Sequence, residues 1–249
     1  MTSSPRDSVS HRNKSERDHL ISHLLGFLSD RFGDRIHFIG GTALARTHLP
    51  DGRLSEDIDL VAIGGRREIA GELDDALPRA VARTHGRLRI TPAVREVADT
   101  ASITVSTDGG LTVKIQLLSS RDRTVWPAER RPLEQRYLDA PAAELLVPTL
   151  PAFAASKTST WADRRAPRDL WDLWALKQIG AINPTSLELF EKFGPTNRPP
   201  GAHMFQRAPS DAEWTTQLAG QTRLTVSASE ALTVVRDAWM RIVHEPESR

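Results

Sequence analysis

Residues 36–62 read IHFIGGTALARTHLPDGRLSEDIDLVA, and this stretch decides the fold of the chain. It begins and ends with short apolar runs that are typical of buried strands, and a glycine pair follows the first run. We therefore predict a strand over 36–39, a short helix over 42–48 and a second strand over 58–63. The result is a strand, turn, helix and strand in close succession.

Two acidic residues, Asp57 and Asp59, lie two positions apart in this stretch, so their side chains should share one face of the second strand. Close carboxylates repel each other unless a cation lies between them, and Mg²⁺ takes oxygen ligands of this kind. Gly40 and Gly41, just before a helix start, supply backbone N–H groups that can hold phosphate. The alternative without a function is that the two glycines form an ordinary turn and that the two acids are simply exposed to solvent. The ordered set favours a site for a nucleoside triphosphate with Mg²⁺, or with Mn²⁺ in its place.

The composition limits the class of protein. A chain of 249 residues can form one large or two small domains, and the absence of cysteine excludes disulfides and thiol chemistry and fits a reducing cytosol. Because 33 Lys and Arg nearly balance 32 Asp and Glu, any nucleic-acid contact must come from a local patch. We find no signal-peptide pattern and no membrane-span pattern, so we expect a soluble cytoplasmic protein without a membrane partner.

Periodicity along the rest of the chain predicts further elements. A frayed polar segment over 1–13 and an amphipathic helix over 14–32 precede the opening strand, and a second helix with its apolar residues over 69–81 follows the unit. Strands are expected at 88–90, 94–97, 102–106 and 111–118, the last two forming a hairpin. Residues 119–136 are predicted to be irregular. Helices are expected at 142–146, 151–162, 167–179, 186–193, 211–218 and from a capping box at Ser227 to 243.

These elements predict an α+β protein. Residues 1–138 would form an α/β lobe with a mixed sheet and flanking helices, and residues 139–249 would form a helical lobe. A cleft is expected between the two lobes.

A second group of charged residues lies in the predicted helical lobe. Lys157 is followed by Arg164 and then by Pro167-Arg168-Asp169. Pro167 suits the first turn of a helix, and Asp169 near that end interacts favourably with the helix dipole. The bland interpretation makes Asp169 a helix-start charge, Asp172 a solvent-facing acid and the arginines a hydrated surface.

The glycine turn and the Ser55-Glu56-Asp57-Ile58-Asp59 run resemble the nucleotidyltransferase signature of the DNA polymerase β superfamily. Followed by the second group, they look like the AbiEii and MenT family of nucleotidyltransferase toxins. The resemblance implies a polymerase β-like lobe in which Asp57 and Asp59 bind the metal. Catalytic roles are also implied for Lys157 and Asp169. Nucleotide contacts are expected from Gly40, Gly41, Thr42, Ser55, Arg164 and Arg168.

The resemblance also implies a reaction. An NTP would donate nucleotide to the 3′ acceptor end of tRNA with release of pyrophosphate, translation would be blocked, and a cognate antitoxin would restrain the toxin. Two alternatives stay open: a transferase that acts on an antibiotic or protein hydroxyl, and a nucleotide-binding module with impaired catalysis.

One position departs from the superfamily pattern. Relatives of polymerase β usually carry a third acid on a neighbouring strand, and Gln116 occupies the expected place. A neutral amide cannot act as a carboxylate base. Either another group such as Asp169 activates the nucleophile, or catalysis relies mainly on metal and positioning, or the enzyme is impaired.

Overall fold

The computed structural model describes residues 5–121 and 124–244, with side chains from residue 13 onward. The chain forms two compact units, each built from separate segments. The first takes Met1–Thr47, Glu56–Arg123 and Glu129–Val147, and the second takes His48–Ser55, Thr124–Ala128 and Pro148–Arg249. The division expected between residues 138 and 139 stays a prediction.

The strands of the described residues form one mixed sheet of seven strands, almost all of it in the first unit. In chain order they are β1 (Ile36–Ile39), β2 (Ile58–Ala62), β3 (Arg89–Thr91), β4 (Ser102–Ser106), β5 (Thr112–Ser119), β6 (Ala128–Pro132) and β7 (Glu144–Pro148). Their order across the sheet is β3-β4-β5-β2-β1-β7-β6. β2 is antiparallel to β1 and parallel to β5, β7 is parallel to β1, and β4 and β5 form the predicted hairpin.

The helices of the first unit are α1 (Pro5–Phe32), α2 (Gly40–Ala45), α3 (Arg66–Ala76) and α4 (Ala82–His85). Because strand side chains alternate, β2 and β5 bury one face, with Leu60 and Leu117 at 0% and 2% exposure. α1 and α3 both contact β5. On the opposite face Asp59 and Gln116 remain half-buried, so the alternation of the strands presents these polar groups away from the core.

The second unit is helical, as predicted, with α5 (Leu150–Arg164), α6 (Pro167–Gln178), α7 (Pro184–Phe193), α8 (Asp211–Leu218) and α9 (Ala228–His244). Its core is aromatic: Trp161 and Trp239 are fully buried, and Phe190 packs against Trp239 with ring centroids 6.1 Å apart. The predicted capping box is confirmed, since Ser227 and Glu230 each accept a hydrogen bond from the other's backbone N–H.

Several predicted elements were wrong. Residues 142–146 were expected to be helical but contain the start of β7, because a short apolar run fits a buried strand as well as a buried helix. Val94–Glu96 forms a 3₁₀ turn instead of a strand, and the segment 119–136 contains β6. The first helix begins at Pro5, so most of the segment expected to fray is helical, and residues 1–4 lie outside the described part.

Among the helices in residues 5–121 and 124–244, none is both long and apolar enough to cross a bilayer.

Candidate active site

The glycine turn lies directly against the second acid of the pair. β1 ends at Ile39, which is paired in register with Asp59 of β2, and Gly40 follows with a φ of +81°. A Cβ atom at Gly40 would collide with Oδ2 of Asp59. Glycine is therefore required here for two reasons: the left-handed backbone conformation and the space that the carboxylate occupies.

Thr42 connects the turn to the first acid. Its hydroxyl donates a hydrogen bond of 2.5 Å to the backbone carbonyl oxygen of Asp57, and Thr42 is 1% exposed. Asp57 lies one residue before β2 and is exposed, whereas Asp59 is half-buried on the strand. Gly41 is the second residue of α2, which begins two residues earlier than predicted. The hydroxyl of Thr42 thus fixes the backbone that carries the exposed carboxylate.

Gln116 occupies the place where a third acid was sought. It pairs in register with Asp59 on the parallel strand β5, so the two side chains are neighbours on the same face of the sheet. Its Nε2 atom donates to the carbonyl oxygen of Asp99 at 3.5 Å. A neutral amide therefore lies beside Asp59.

The donor atoms of this region fit a hard divalent cation. Asp57 and Asp59 offer carboxylate oxygens, and the missing Cβ of Gly40 leaves room for one of them. Oxygen donors of this type are the ligands that Mg²⁺ and Mn²⁺ bind. These two residues are the ones that would hold the ion.

Ion pairs link five charged side chains of the second unit in a row, which we call the ion chain. Arg164 donates two hydrogen bonds to Asp169, at 2.6 and 2.9 Å. Lys157 lies 3.5 Å from Oδ1 of Asp169 and 2.6 Å from Oδ2 of Asp172. Arg53 completes the chain with two bonds to Asp172, at 2.8 and 3.0 Å. Three cations meet two carboxylates, so this ion chain carries a formal excess of one positive charge.

The ion chain is mostly buried. The side chains of Asp169, Asp172 and Lys157 are 1%, 3% and 9% exposed, whereas that of Arg164 is 51% exposed. Burial raises the pKa of Asp172, but Lys157 and Arg53 outweigh it, so the pKa lies below the ordinary range for an aspartate. Asp172 is therefore a buried carboxylate anion and not the solvent-facing acid of the bland interpretation.

Sequence reasoning missed Arg53 and undervalued Asp172. The two residues lie far apart in the chain, and no local periodicity connects them; the ion pair exists because segment 48–55 belongs to the second unit. Ser55 belongs to the same segment and is half-buried in the loop before β2. Arg168 is half-buried on α6 beside Asp169. Of the predicted residues in the second unit, the structure thus joins Lys157, Arg164 and Asp169.

Known proteins share both the sequence pattern and the fold. The family of the nucleotidyl transferase AbiEii toxin, of type IV toxin–antitoxin systems, matches residues 24–237. No curated protein matches the chain in sequence. The structure resembles MenT4, a nucleotidyltransferase toxin from Mycobacterium tuberculosis, with a TM-score of 0.71, 22% identity, and 93% of this chain and 84% of that chain covered. It also resembles JHP933 from Helicobacter pylori, with a TM-score of 0.56, 12% identity, and coverage of 94% and 93%.

The structural likenesses show a shared fold, and the sequence match spans most of the chain. The expected α+β fold, with a mixed sheet, flanking helices and a helical C-terminal part, is thereby confirmed. The protein belongs to the AbiEii family of nucleotidyltransferase toxins.

Proposed function

We propose that the protein transfers nucleotide from an NTP to the 3′ end of tRNA, using Asp57 and Asp59 as metal ligands. The observation that carries this proposal is the close approach of Asp59 to Gly40, with the exposed Asp57 two residues before Asp59. A bound Mg²⁺ ion would neutralise charge on the triphosphate. In the proposed reaction the oxygen of an acceptor hydroxyl would form a bond to the α-phosphorus and release its proton to water, and the bond from that phosphorus to pyrophosphate would break.

The residues of this chain would act mainly by positioning and by charge. Backbone N–H groups of Gly40 and Gly41 would bind phosphate oxygens, while Thr42 holds the backbone at Asp57. Ser55, in the loop that leads to the acid pair, is proposed as a further phosphate contact.

Three cations of the second unit would supply positive charge to the same reaction. Arg164 is the exposed member of the ion chain, and Lys157 contributes to its excess positive charge. Arg168 is proposed to bind phosphate as well. Both oxygens of Asp169 accept bonds from Arg164, so Asp169 would orient that guanidinium rather than remove a proton.

Membership of a toxin family supports a partner. We propose that a cognate antitoxin restrains the chain in the cell and that uncontrolled transfer to tRNA blocks translation. Expression of the chain without its antitoxin should then arrest growth, and Asp57→Asn should relieve the arrest.

The direct test is an incorporation assay with total tRNA, Mg²⁺ and each labelled NTP in turn. We expect label at the 3′ end with one or more NTPs, loss of label with EDTA, and loss with Asp57→Asn. Asp108→Asn removes an exposed acid of the first unit outside the site and should keep full activity.

Each other result points to a named alternative. Label on an aminoglycoside or on protein instead of RNA would identify a different hydroxyl acceptor. Tight NTP binding without pyrophosphate release would identify an impaired module, which Gln116 beside Asp59 favours. Either result would overturn transfer to tRNA.

A further inference from the structure

Three histidines and one aspartate form a cluster in the first unit that the proposed reaction does not use. His19 and His23 are four residues apart on α1 and therefore lie on one face of the helix. His85 ends α4, and Asp139 lies in the segment between β6 and β7. The cluster thus joins three distant parts of the unit.

The possible ligand atoms lie close together. Nε2 of His19 is 3.1 and 3.0 Å from the two carboxylate oxygens of Asp139, and Nε2 of His23 is 3.7 Å from Oδ2 of Asp139. All three groups place ligand atoms within 4.8 Å of one another. A tetrahedral ion with bonds of 2.0–2.1 Å separates its ligands by about 3.3 Å. Small side-chain movements would bring these atoms to that spacing.

His23 supplies a second and independent observation. The residue is 6% exposed, and its Nε2 atom is buried without a hydrogen-bond partner. A buried nitrogen that makes no hydrogen bond costs free energy, and a bound ion would satisfy it.

We propose that His19, His23 and Asp139 form a binding site for a divalent transition ion of the Zn²⁺ type. Two imidazole nitrogens and one carboxylate suit Zn²⁺ better than Mg²⁺, and a water molecule would complete four ligands. His85 would act from outside the ion: its Nε2 atom is 3.1 Å from Nδ1 of His19, and such a bond fixes the orientation of a ligating imidazole.

The surroundings give access to the cluster. A surface cavity of about 330 Å³ is lined by His19, His85 and Tyr137, among others. Asp139 has a side chain that is 62% exposed, so it can move toward an incoming ion without disturbing the core. The site would connect α1 to the segment before β7, and it is distinct in residues and in metal class from the acid pair.

The test is Zn²⁺ binding to the full-length, tag-free, metal-stripped chain. Titration calorimetry is performed in excess Mg²⁺ and in an Asp57→Asn background, so that the acid pair does not contribute. We expect one Zn²⁺ ion per chain and at least a tenfold loss of affinity in Asp139→Asn. Asp75→Asn removes an exposed acid of the same unit that lies outside the cluster, and this variant should bind Zn²⁺ like the parent.

Two further measurements make the result decisive. Co²⁺ should give the intense visible absorption of a four-coordinate ion in the parent but not in Asp139→Asn. Zn²⁺ should also raise the melting temperature of the parent more than that of Asp139→Asn. Equal Zn²⁺ affinity in Asp139→Asn and Asp75→Asn, or no stoichiometric binding, would overturn the site and identify a hydrogen-bonded cluster only. Neither readout depends on nucleotide transfer.

Discussion

The molecule contains two pairs of aspartates in opposite surroundings. Asp57 is exposed and Asp59 half-buried at the glycine turn of the first unit. Asp169 and Asp172 of the second unit are almost fully buried, and each is held by an arginine through two hydrogen bonds and also contacts Lys157. The first pair lies where an ion or a substrate can reach it. The carboxylates of the second pair are already neutralised by neighbouring cations.

The difference teaches that an acidic motif alone does not reveal its role. Removing a buried partner leaves uncompensated charge inside the fold, which is strongly destabilising. Removing an exposed carboxylate changes the local chemistry and leaves the core intact. The two pairs should therefore separate activity from stability when they are mutated.

The largest expected effect is on catalysis. Asp57→Asn should lower nucleotide transfer by on the order of 10²–10³-fold, because one of the two proposed metal ligands loses its charge. The melting temperature should change little because Asp57 is exposed. Incorporation assays and thermal melts on the same preparations check this. Retained activity would remove Asp57 from the site.

The next effect is on stability. Asp172→Ala should destabilise the second unit by about 3–5 kcal/mol, because it leaves Arg53 and Lys157 buried without their shared anion. All six tryptophans of the sequence lie in segments of the second unit, so tryptophan fluorescence during urea unfolding reports this unit. Asp237→Asn, which alters an exposed pair on α9, is the matched control and should change little.

Two glycine-to-alanine variants distinguish the cost of backbone strain from an effect on the acid pair. Gly40→Ala imposes a left-handed conformation on alanine and also displaces Asp59, so transfer should fall at least about tenfold besides a cost of about 1–2 kcal/mol in stability. Gly110→Ala has nearly the same φ, +84°, but open space around its Cβ. It should show the stability cost alone. Equal activity in both variants would contradict the contact.

The smallest effect is on the pH dependence of stability. Burial lowers the pKa of His37 on β1 below its ordinary 6.5, so the unfolded chain binds more protons just below that pH and stability falls as pH decreases from about 6.5. The slope is at most about 1.4 kcal/mol per pH unit, and less for a half-buried ring. Asp172 has a lowered pKa, so its contribution is present above about pH 4 and is lost only at lower pH.

His37→Gln tests this point. The variant should lose less stability than the parent between pH 7 and pH 5, as measured by denaturant unfolding followed by far-UV circular dichroism. Identical slopes for the two proteins would contradict the assignment. The tryptophan signal of the second unit should not respond to the substitution in this interval.

Much of this arrangement could be predicted from the chain. Strand 36–39 and helix 211–218 have the predicted bounds, since their patterns are strong and their ends are marked by glycine or by a cap. The register of Asp59 with Gln116 matches the place where a third acid was sought. Local periodicity, turn chemistry and strand alternation carried these predictions.

The remainder depends on contacts that sequence spacing does not encode. α6 is buried on most sides, so a helical wheel cannot mark Asp172 as inside, and its partner Arg53 comes from a distant loop. The segment Glu144–Pro148 forms a strand because its backbone pairs with β1, and this pairing is a tertiary contact that local sequence does not reveal. Contacts between distant parts of the chain thus explain the wrong prediction at 142–146 and the ion pair of Asp172 with Arg53 that the sequence did not indicate.

That pairing of β7 with β1 has a consequence for how the protein is made. β1 is synthesised early, but the strand that covers its second edge ends only at Pro148. A nascent chain that has emerged as far as residue 138 contains both acids of the glycine-turn site in an unfinished sheet, with an exposed strand edge that other chains can join. We therefore expect the toxin to depend on rapid completion of synthesis, and fragments that stop before β7 to aggregate rather than to act.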